Sequence, residues 1–177
     1  ETASIAINSS LTGHLVFSTL HTNSAAGAFP RLIDLGINSK IMSSAINIVL
    51  AQRLVRKLCE HCKKPVAYDG NIKVQIDKII ATIFDKSEVP PIPSSVFTAN
   101  GCEKCNMTGY KGRIGIYEGI KMSPEIGTTV DMNPSEAELE KVAAPQAILT
   151  LRQDGAIKIL KGITSLDELE RVITIED

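Results

Sequence analysis

The sequence contains four cysteines, which fall into two pairs with the same internal spacing. The pairs are Cys59-x-x-Cys62 and Cys102-x-x-Cys105, and residues 63–101 separate them. A two-residue spacer lets one short turn present two thiolates on the same side, so two such turns can close a tetrahedron of sulfurs around one metal ion. The separation exceeds the roughly 15 to 20 residues of the commonest double-pair pattern. The spacing therefore predicts a four-cysteine metal site assembled from two distant turns.

Three other arrangements of these cysteines compete with a metal site: independent buried thiols, two disulfides, or a redox-active Cys-x-x-Cys. Two matched pairs seldom arise by chance, and a redox pair normally opens a helix after a strand. A chain that is 44% hydrophobic needs no covalent staples. We therefore predict one structural zinc ion, with all four positions filled and none open for a catalytic water. His61, inside the first pair, is predicted to be a solvated loop residue and not a ligand.

Composition and charge argue against a nucleic-acid binder and against a membrane-spanning segment. The 177 residues carry 19 basic and 20 acidic side chains, for a net charge of −1, so no general basic field attracts nucleic acid. No stretch approaches the roughly 18 to 20 apolar residues of a membrane span. Because the chain begins at Glu1 with neither an initiator Met nor the features of a signal peptide, we expect it to be a piece of a longer protein.

The first part, residues 1–55, has an α/β pattern. We predict a short helix at 2–11, a buried parallel strand at 14–20 and a largely buried helix at 39–55.

Between the strand and the last of these helices, another helix is predicted. Asn23 or Ser24 would cap its start, and it would run toward Leu35 and stop at Gly36. Pro30 would bend it or open one hydrogen bond.

The middle part, residues 56–118, holds both cysteine pairs. A helix is predicted near 72–84, an extended run at 96–98 and a strand at 113–122. The last part, residues 119–177, is predicted to be a small bundle of short helices. Three capping boxes mark helix starts: Ser135 with Glu138, Thr150 with Gln153, and Ser165 with Glu168.

Several signatures of catalysis are absent from the sequence. It has no G-x-x-x-x-G-K-[ST] phosphate loop, no dinucleotide fingerprint, no G-x-S-x-G elbow and no H-E-x-x-H helix. His21 follows the predicted strand, where an imidazole can donate a hydrogen bond to a phosphate oxygen. Alternatively, Thr22 and Asn23 cap a helix and His21 is a surface histidine, which the spacing alone favours.

Several stretches resemble one family. Leu11–Asn23, with the sequence LTGHLVFSTLHTN, resembles the His box of the secretion superfamily ATPases, and Glu1–Ala3 resembles the stretch that follows their Walker B motif. Ala51–Cys59, Gly109–Glu118 and Gly162–Leu166 resemble further signatures of these proteins. Because a four-cysteine site is typical of assembly-type members, the resemblance points to a type II secretion or type IV pilus extension ATPase and away from a retraction motor.

The resemblance implies an α/β fold: the carboxyl-terminal part of a RecA-like ATPase domain, an inserted four-cysteine zinc module and a small helical carboxyl-terminal subdomain. ATP and Mg²⁺ would bind Walker elements upstream of Glu1 in the full-length parent, so the piece alone would be inactive. His14 and His21 would sense or position the γ-phosphate, and Glu1 receives no catalytic role. Cys59, Cys62, Cys102 and Cys105 would hold the zinc.

The resemblance also implies partners. The parent would be a homo-hexamer at the cytoplasmic face of the inner membrane, pushing pilin-like subunits into a fibre through a membrane platform protein. Alternatively, the piece is a zinc-stabilised interaction module that docks the platform protein and binds no nucleotide. A zinc-ribbon nucleic-acid binder is disfavoured, because 4% aromatic residues leave few stacking platforms.

Overall fold

The computed structural model describes residues 1–173 and shows a mixed helix and strand fold, as predicted. The chain divides into two compact units, each built from two separate stretches. The first unit contains Glu1–Ala51 and Glu118–Ile148, and the second contains Gln52–Tyr117 and the chain from Leu149 onward. The boundaries of the three consecutive parts predicted above are drawn from sequence motifs, whereas the two units are defined by packing. The predicted boundaries stay a prediction. Residues 174–177 of the last part lie outside the described residues.

Within residues 1–173 the helices are α1 (Thr2–Leu11), α2 (Ala28–Asp34), α3 (Ser39–Ala45), α4 (Gly70–Ala81), α5 (Pro124–Asp131), α6 (Glu136–Ala143), α7 (Leu151–Leu160) and α8 (Leu166–Val172). The strands are β1 (Ile48–Leu58), β2 (Lys64–Ala67), β3 (Ser95–Thr98) and β4 (Tyr110–Lys121). Strand β1 pairs with β4. Strand β2 pairs with β3 in antiparallel register, with Lys64 opposite Thr98. Within residues 1–173, no helix has both the length and the apolar character needed to span a membrane.

The first unit packs α1, α3, α5 and α6 around one apolar core. Fully buried side chains at its centre come from both stretches of the unit: Phe29, Met42, Ile126, Val130 and Leu139. Ser123 caps α5 by accepting a hydrogen bond from the N–H of Ile126, which fixes where that helix begins.

The second unit packs α4, α7 and α8 with its strands around a separate core. Its fully buried side chains include Val55, Ile76, Ile116, Ile159 and Leu169. Helices α7 and α8 approach closely because Gly155 has no Cβ, and the Leu169 side chain occupies that space. Of the helices in the predicted carboxyl-terminal part, α7 and α8 pack together in the second unit, whereas α5 and α6 belong to the first, and the subdomain as a whole stays a prediction.

The helix predicted at 39–55 is wrong beyond Ala45. Helix α3 ends there and β1 begins at Ile48. Alternate residues of β1 differ in burial: Ala51 and Val55 are buried, whereas Leu50 and Leu54 are exposed. The sequence of this strand predicts a buried helix because apolar residues on its exposed face mask the period of two.

The buried strand predicted at 14–20 is also wrong. This segment forms no strand, and Leu15 and Phe17 are 77% and 88% exposed. A parallel strand needs hydrogen-bonded neighbours on its edges, and none of the described strands pairs with residues 14–20. The segment is apolar, as the pattern indicates, but these large apolar side chains are exposed and not buried.

Other predicted elements form close to the expected positions. The structure confirms the helix at 2–11, the helix near 72–84, the extended run at 96–98 and the strand at 113–122, which begins three residues earlier. Helix α2 begins at Ala28, later than Asn23 or Ser24, so Pro30 lies in its first turn, where its missing N–H removes no hydrogen bond within the helix. Gly36 ends that helix with a φ of +85°, as predicted.

Two of the three capping boxes are complete, at Ser135 and Thr150. At the third, the Ser165 hydroxyl accepts from the N–H of Glu168, but the Glu168 carboxylate does not accept from the N–H of Ser165. It bonds Arg56 and Arg171 instead, so the reciprocal half of that prediction is wrong.

Candidate metal centre

The first cysteine pair lies directly between two strands. Strand β1 ends at Leu58, and β2 begins at Lys64. The carbonyl of Cys59 accepts from the N–H groups of both Cys62 (3.1 Å) and Lys63 (2.9 Å). These bonds close a turn that places the two sulfur atoms on one side.

The second pair is held by a single 3₁₀ turn over Glu103–Cys105. The carbonyl of Cys102 accepts from Cys105 (3.1 Å) and from Met107 (2.9 Å). Gly101 permits this close fold, since its φ is +93° and a Cβ there would lie 2.6 Å from the carbonyl oxygen of Met107. A side chain at that position would collide with backbone that cannot move aside.

A backbone hydrogen bond joins the two pairs, with the N–H of Cys59 donating to the carbonyl of Gly109 at 2.9 Å. All four Sγ atoms lie within 4.8 Å of one another. Sulfur separations are 3.9 Å for Cys59–Cys102, 3.8 Å for Cys62–Cys105 and 3.7 Å for Cys102–Cys105.

These separations match one tetrahedral metal ion. Four bonds of about 2.3 Å at tetrahedral angles put sulfur atoms about 3.8 Å apart. A disulfide would need about 2.05 Å, and all four cysteines are free thiols. The arrangement is therefore able to bind a metal ion, and the four sulfurs leave no open coordination position.

Backbone N–H groups prepare one sulfur for metal binding. The Sγ of Cys105 accepts from the N–H groups of Cys102 and Gly109, both at 3.2 Å. Burial raises the pKa of Cys105, but these hydrogen bonds outweigh it and lower the pKa to about 6. Burial, followed by hydrogen bonding to the Cys102 and Cys105 thiols, raises the pKa of Cys62 to about 12. Metal binding must therefore displace protons from the group as a whole.

Cations surround the cluster without joining it. Lys63 forms an ion pair with Glu60 at 2.7 Å and donates to the carbonyl of Gly162 at 3.2 Å. His61 lies outside the four-sulfur group, and its Nδ1 lies 3.5 Å from Nζ of Lys104. Four thiolates with one divalent ion would carry a formal charge of about −2, which nearby lysines would partly offset.

The predicted phosphate-sensing histidines lie elsewhere, in the first unit. His14 and His21 are both exposed, and Nδ1 of His14 lies 3.2 Å from the hydroxyl of Thr12. They flank the apolar segment at 15–20, whereas the four cysteines belong to the second unit. Their role stays a prediction.

Sequence reasoning missed a charged group in the same unit as the four cysteines. The buried Glu168 carboxylate is bonded by Arg56 and Arg171, and the Arg56 guanidinium lies 4.1 Å from the centre of the Tyr110 ring. The Tyr110 hydroxyl in turn lies 2.7 Å from that of Ser165. No local pattern signals this group, because Arg56 and Glu168 are 112 positions apart.

Comparison with known proteins gives consistent matches along the chain. The type II/IV secretion system protein family matches residues 1–171. Type II secretion system ATPase E of Vibrio cholerae is 43% identical over 172 residues, covering 97% of this chain and 32% of that protein. Type IV pilus assembly ATPase PilB of Thermus thermophilus is 41% identical over 169 residues, covering 96% of this chain and 18% of that protein. Type II secretion system protein E of Aeromonas hydrophila is 41% identical over 177 residues, covering 100% of this chain and 33% of that protein.

Proposed function

The chain belongs to the type II/IV secretion system protein family, and from that premise we propose that it is part of an ATPase driving assembly of pilin-like fibres. The relatives named above are a secretion ATPase, a pilus assembly ATPase and a secretion system protein. The chain spans about a third or less of their length, so the activity of the whole protein is part of the proposal. The observation that carries it is the match over nearly the whole chain.

In this proposal the chain does not bind the phosphates alone. The sequence has no phosphate loop, so ATP and Mg²⁺ bind elements that lie in the rest of a longer protein. The chain contributes the carboxyl-terminal part of a RecA-like core, with His14 and His21 directed toward the γ-phosphate. The exposure of both histidines in the isolated chain supports this, because each ring is accessible to a group from outside the described residues. The isolated chain then hydrolyses no ATP.

The metal of the four-cysteine site is zinc in this proposal. Thiolate ligands in tetrahedral positions suit zinc, and a closed four-sulfur site is structural and not catalytic. The ion would tie the end of β1 to the turn that precedes β4, which the backbone hydrogen bond from Cys59 to Gly109 also joins. Its contribution is to fold stability, since metal binding and folding are coupled in such sites.

The partners are those of a fibre-assembly machine. The parent would form a homo-hexamer at the cytoplasmic face of the inner membrane and act on a membrane platform protein there. The four-cysteine module would dock that platform. Its second turn carries Met107, whose side chain is 69% exposed and offers an apolar contact.

A deletion experiment tests the proposal. Removal of the gene in the source organism should abolish either protein secretion or pilus extension, and a copy with an intact four-cysteine site should restore it. Full-length protein should hydrolyse ATP, whereas the 177-residue chain should not. A deletion strain with normal secretion and normal pili would contradict the proposal.

A further inference from the structure

A turn between His21 and α2 is held by two carboxylates from distant parts of the first unit. The turn, residues 24–27, follows the exposed segment that ends at His21. Within it, the N–H of Gly27 donates to the Ser24 hydroxyl at 2.9 Å. Ser24, Ala25 and Ala26 are buried, so exposed chain changes to buried core within a few residues.

Glu118 accepts the first of two hydrogen bonds that fix this turn. Its Oε1 accepts from the backbone N–H of Ala25 at 2.6 Å, although the residues are 93 positions apart. Ala25 has no exposed surface. A short bond from a buried N–H to a carboxylate is charge-assisted and stronger than a neutral one, and its loss would leave a buried donor without a partner.

Glu136 accepts the second hydrogen bond that fixes this turn. The Ser24 hydroxyl donates to its Oε1, and its Oε2 lies against Gly27, where an added Cβ would come within 3.2 Å. Glu136 is the first residue of α6, so this helix is connected to the turn by a side chain. Hydrogen bonds at Ser24 and Ala25 thus connect the turn to two elements of the unit's second stretch.

A further hydrogen bond connects this turn to the residue next to His21. The Thr22 hydroxyl donates to the carbonyl of Ser24 at 2.9 Å, which orients the residue next to His21 relative to the pinned turn. The histidine itself is exposed. The backbone next to His21 is therefore connected to the turn that Glu118 and Glu136 contact.

We propose that Glu118 is a positioning residue for His21, acting through the N–H of Ala25 and the turn that it fixes. This inference rests on the phosphate-sensing role proposed above for His21. A ring displaced by about 1 Å can cost up to a hundredfold in rate when a group must meet a reacting phosphate. Glu118 touches no nucleotide in this scheme and sets only where His21 points.

Spectroscopy on the 177-residue chain tests the structural half. In Glu118→Ala, the Ala25 amide should lose its protection from hydrogen exchange, and the His21 ring signals in NMR spectra should move. Glu118→Gln keeps an acceptor oxygen and should preserve both. Lys121→Ala, on the same strand, is the matched control and should change neither. His21 signals that stay in place while the Ala25 amide is released would overturn the proposal.

Kinetics of the full-length ATPase test the functional half. Glu118→Ala should lower kcat about tenfold with KM for ATP changed less than about twofold, whereas Glu118→Gln should recover most of the rate. In a His21→Ala background, Glu118→Ala should add no further loss, because both changes act through one ring. Multiplied losses would overturn the proposal. If His21→Ala alone leaves turnover unchanged, the proposed sensing role fails, and the NMR experiment still decides whether Glu118 fixes the turn.

Discussion

The carboxylate of Glu168 accepts hydrogen bonds from both the backbone N–H and the guanidinium of Arg56, each at 2.8 Å. The carboxylate has no exposed surface, whereas the Arg56 side chain is 39% exposed. Thr164 adds a bond to the carbonyl of Arg56, so the same residue of β1 is held at its N–H, its carbonyl and its side chain. Helix α8 is thereby locked to the strand that leads into the first cysteine pair.

Loss of this carboxylate should destabilise the second unit. Glu168→Ala leaves the Arg56 N–H without its acceptor and removes the partner of two guanidinium groups. We expect the free energy of unfolding to fall by about 2 to 4 kcal/mol, at the low end of the range for a buried pair because both arginines are partly exposed. Urea denaturation measures the change. Glu170→Ala, on the exposed side of α8, is the control and should change the free energy by less than about 0.5 kcal/mol.

The same group predicts a pH dependence of stability. Burial raises the pKa of Glu168, but hydrogen bonds from Arg171 and Arg56 outweigh it and lower the pKa from 4.5 to about 2. A depressed carboxyl pKa stabilises the fold above the unfolded value, so the contribution is complete above about pH 5 and is lost as pH falls toward 2. Urea titrations between pH 6 and pH 3 should show a shallower fall for Glu168→Gln than for the unmodified chain. Parallel curves would contradict this assignment.

Zinc should bind with one ion per chain. Native mass spectrometry of protein purified without chelator should show a single zinc adduct, and added Mg²⁺ and ATP should give no nucleotide adduct. Cys105→Ser should lose the ion and lower the melting temperature, as chelator should do to the unmodified chain. Met107→Ala, on the same turn, should retain the ion. Metal-free protein before chelation would count against the zinc assignment.

Alanine substitutions at Gly36 and Gly101 distinguish the cost of a positive φ from the cost of a steric collision in the second cysteine turn. Gly101 and Gly36 both have positive φ, but only at Gly101 would a Cβ meet backbone, at 2.6 Å. Gly36→Ala should cost about 1 to 2 kcal/mol from φ alone. Gly101→Ala should cost more in unfolding free energy and also weaken zinc affinity in a competition assay with a coloured chelator. Equal effects of the two substitutions would mean that the second cysteine turn tolerates a shift of Met107.

His21 should matter to turnover and not to folding. In the full-length protein, His21→Ala should lower kcat about tenfold or more, because a hydrogen bond to the reacting phosphate is lost. The melting temperature should stay the same, since the ring is exposed. His61→Ala is the matched control, an exposed histidine outside the metal group, and should leave turnover unchanged. Normal turnover in His21→Ala would end the sensing role.

Sequence reasoning succeeded where the determinants are local. The two Cys-x-x-Cys turns, the caps at Ser135 and Thr150, and the helix stop at Gly36 each depend on a few neighbouring residues, and the structure confirms them. The sequence also indicated that the cysteines would come together, because paired spacings constrain which residues can share one ion.

Sequence reasoning failed where pairing and long-range contacts decide. Ile48–Leu58 has apolar residues on both faces, and only its pairing with β4 makes it a strand. Residues 14–20 have the apolar character of a strand but lack a described neighbour. The bonds of Glu168 to Arg56 and of Glu118 to Ala25 join positions about a hundred residues apart, beyond any local pattern.

The interleaving of the two units along the chain has a consequence for synthesis. Neither unit can close when its first stretch leaves the ribosome, since Glu118–Ile148 completes one and the chain from Leu149 completes the other. Until its second stretch has been synthesised, each unit exposes apolar residues to solvent, which favours aggregation or binding by chaperones. A protein cut after Tyr117 would lose α5 and α6 from the first core and α7 and α8 from the second, so one cut would leave two unfinished domains.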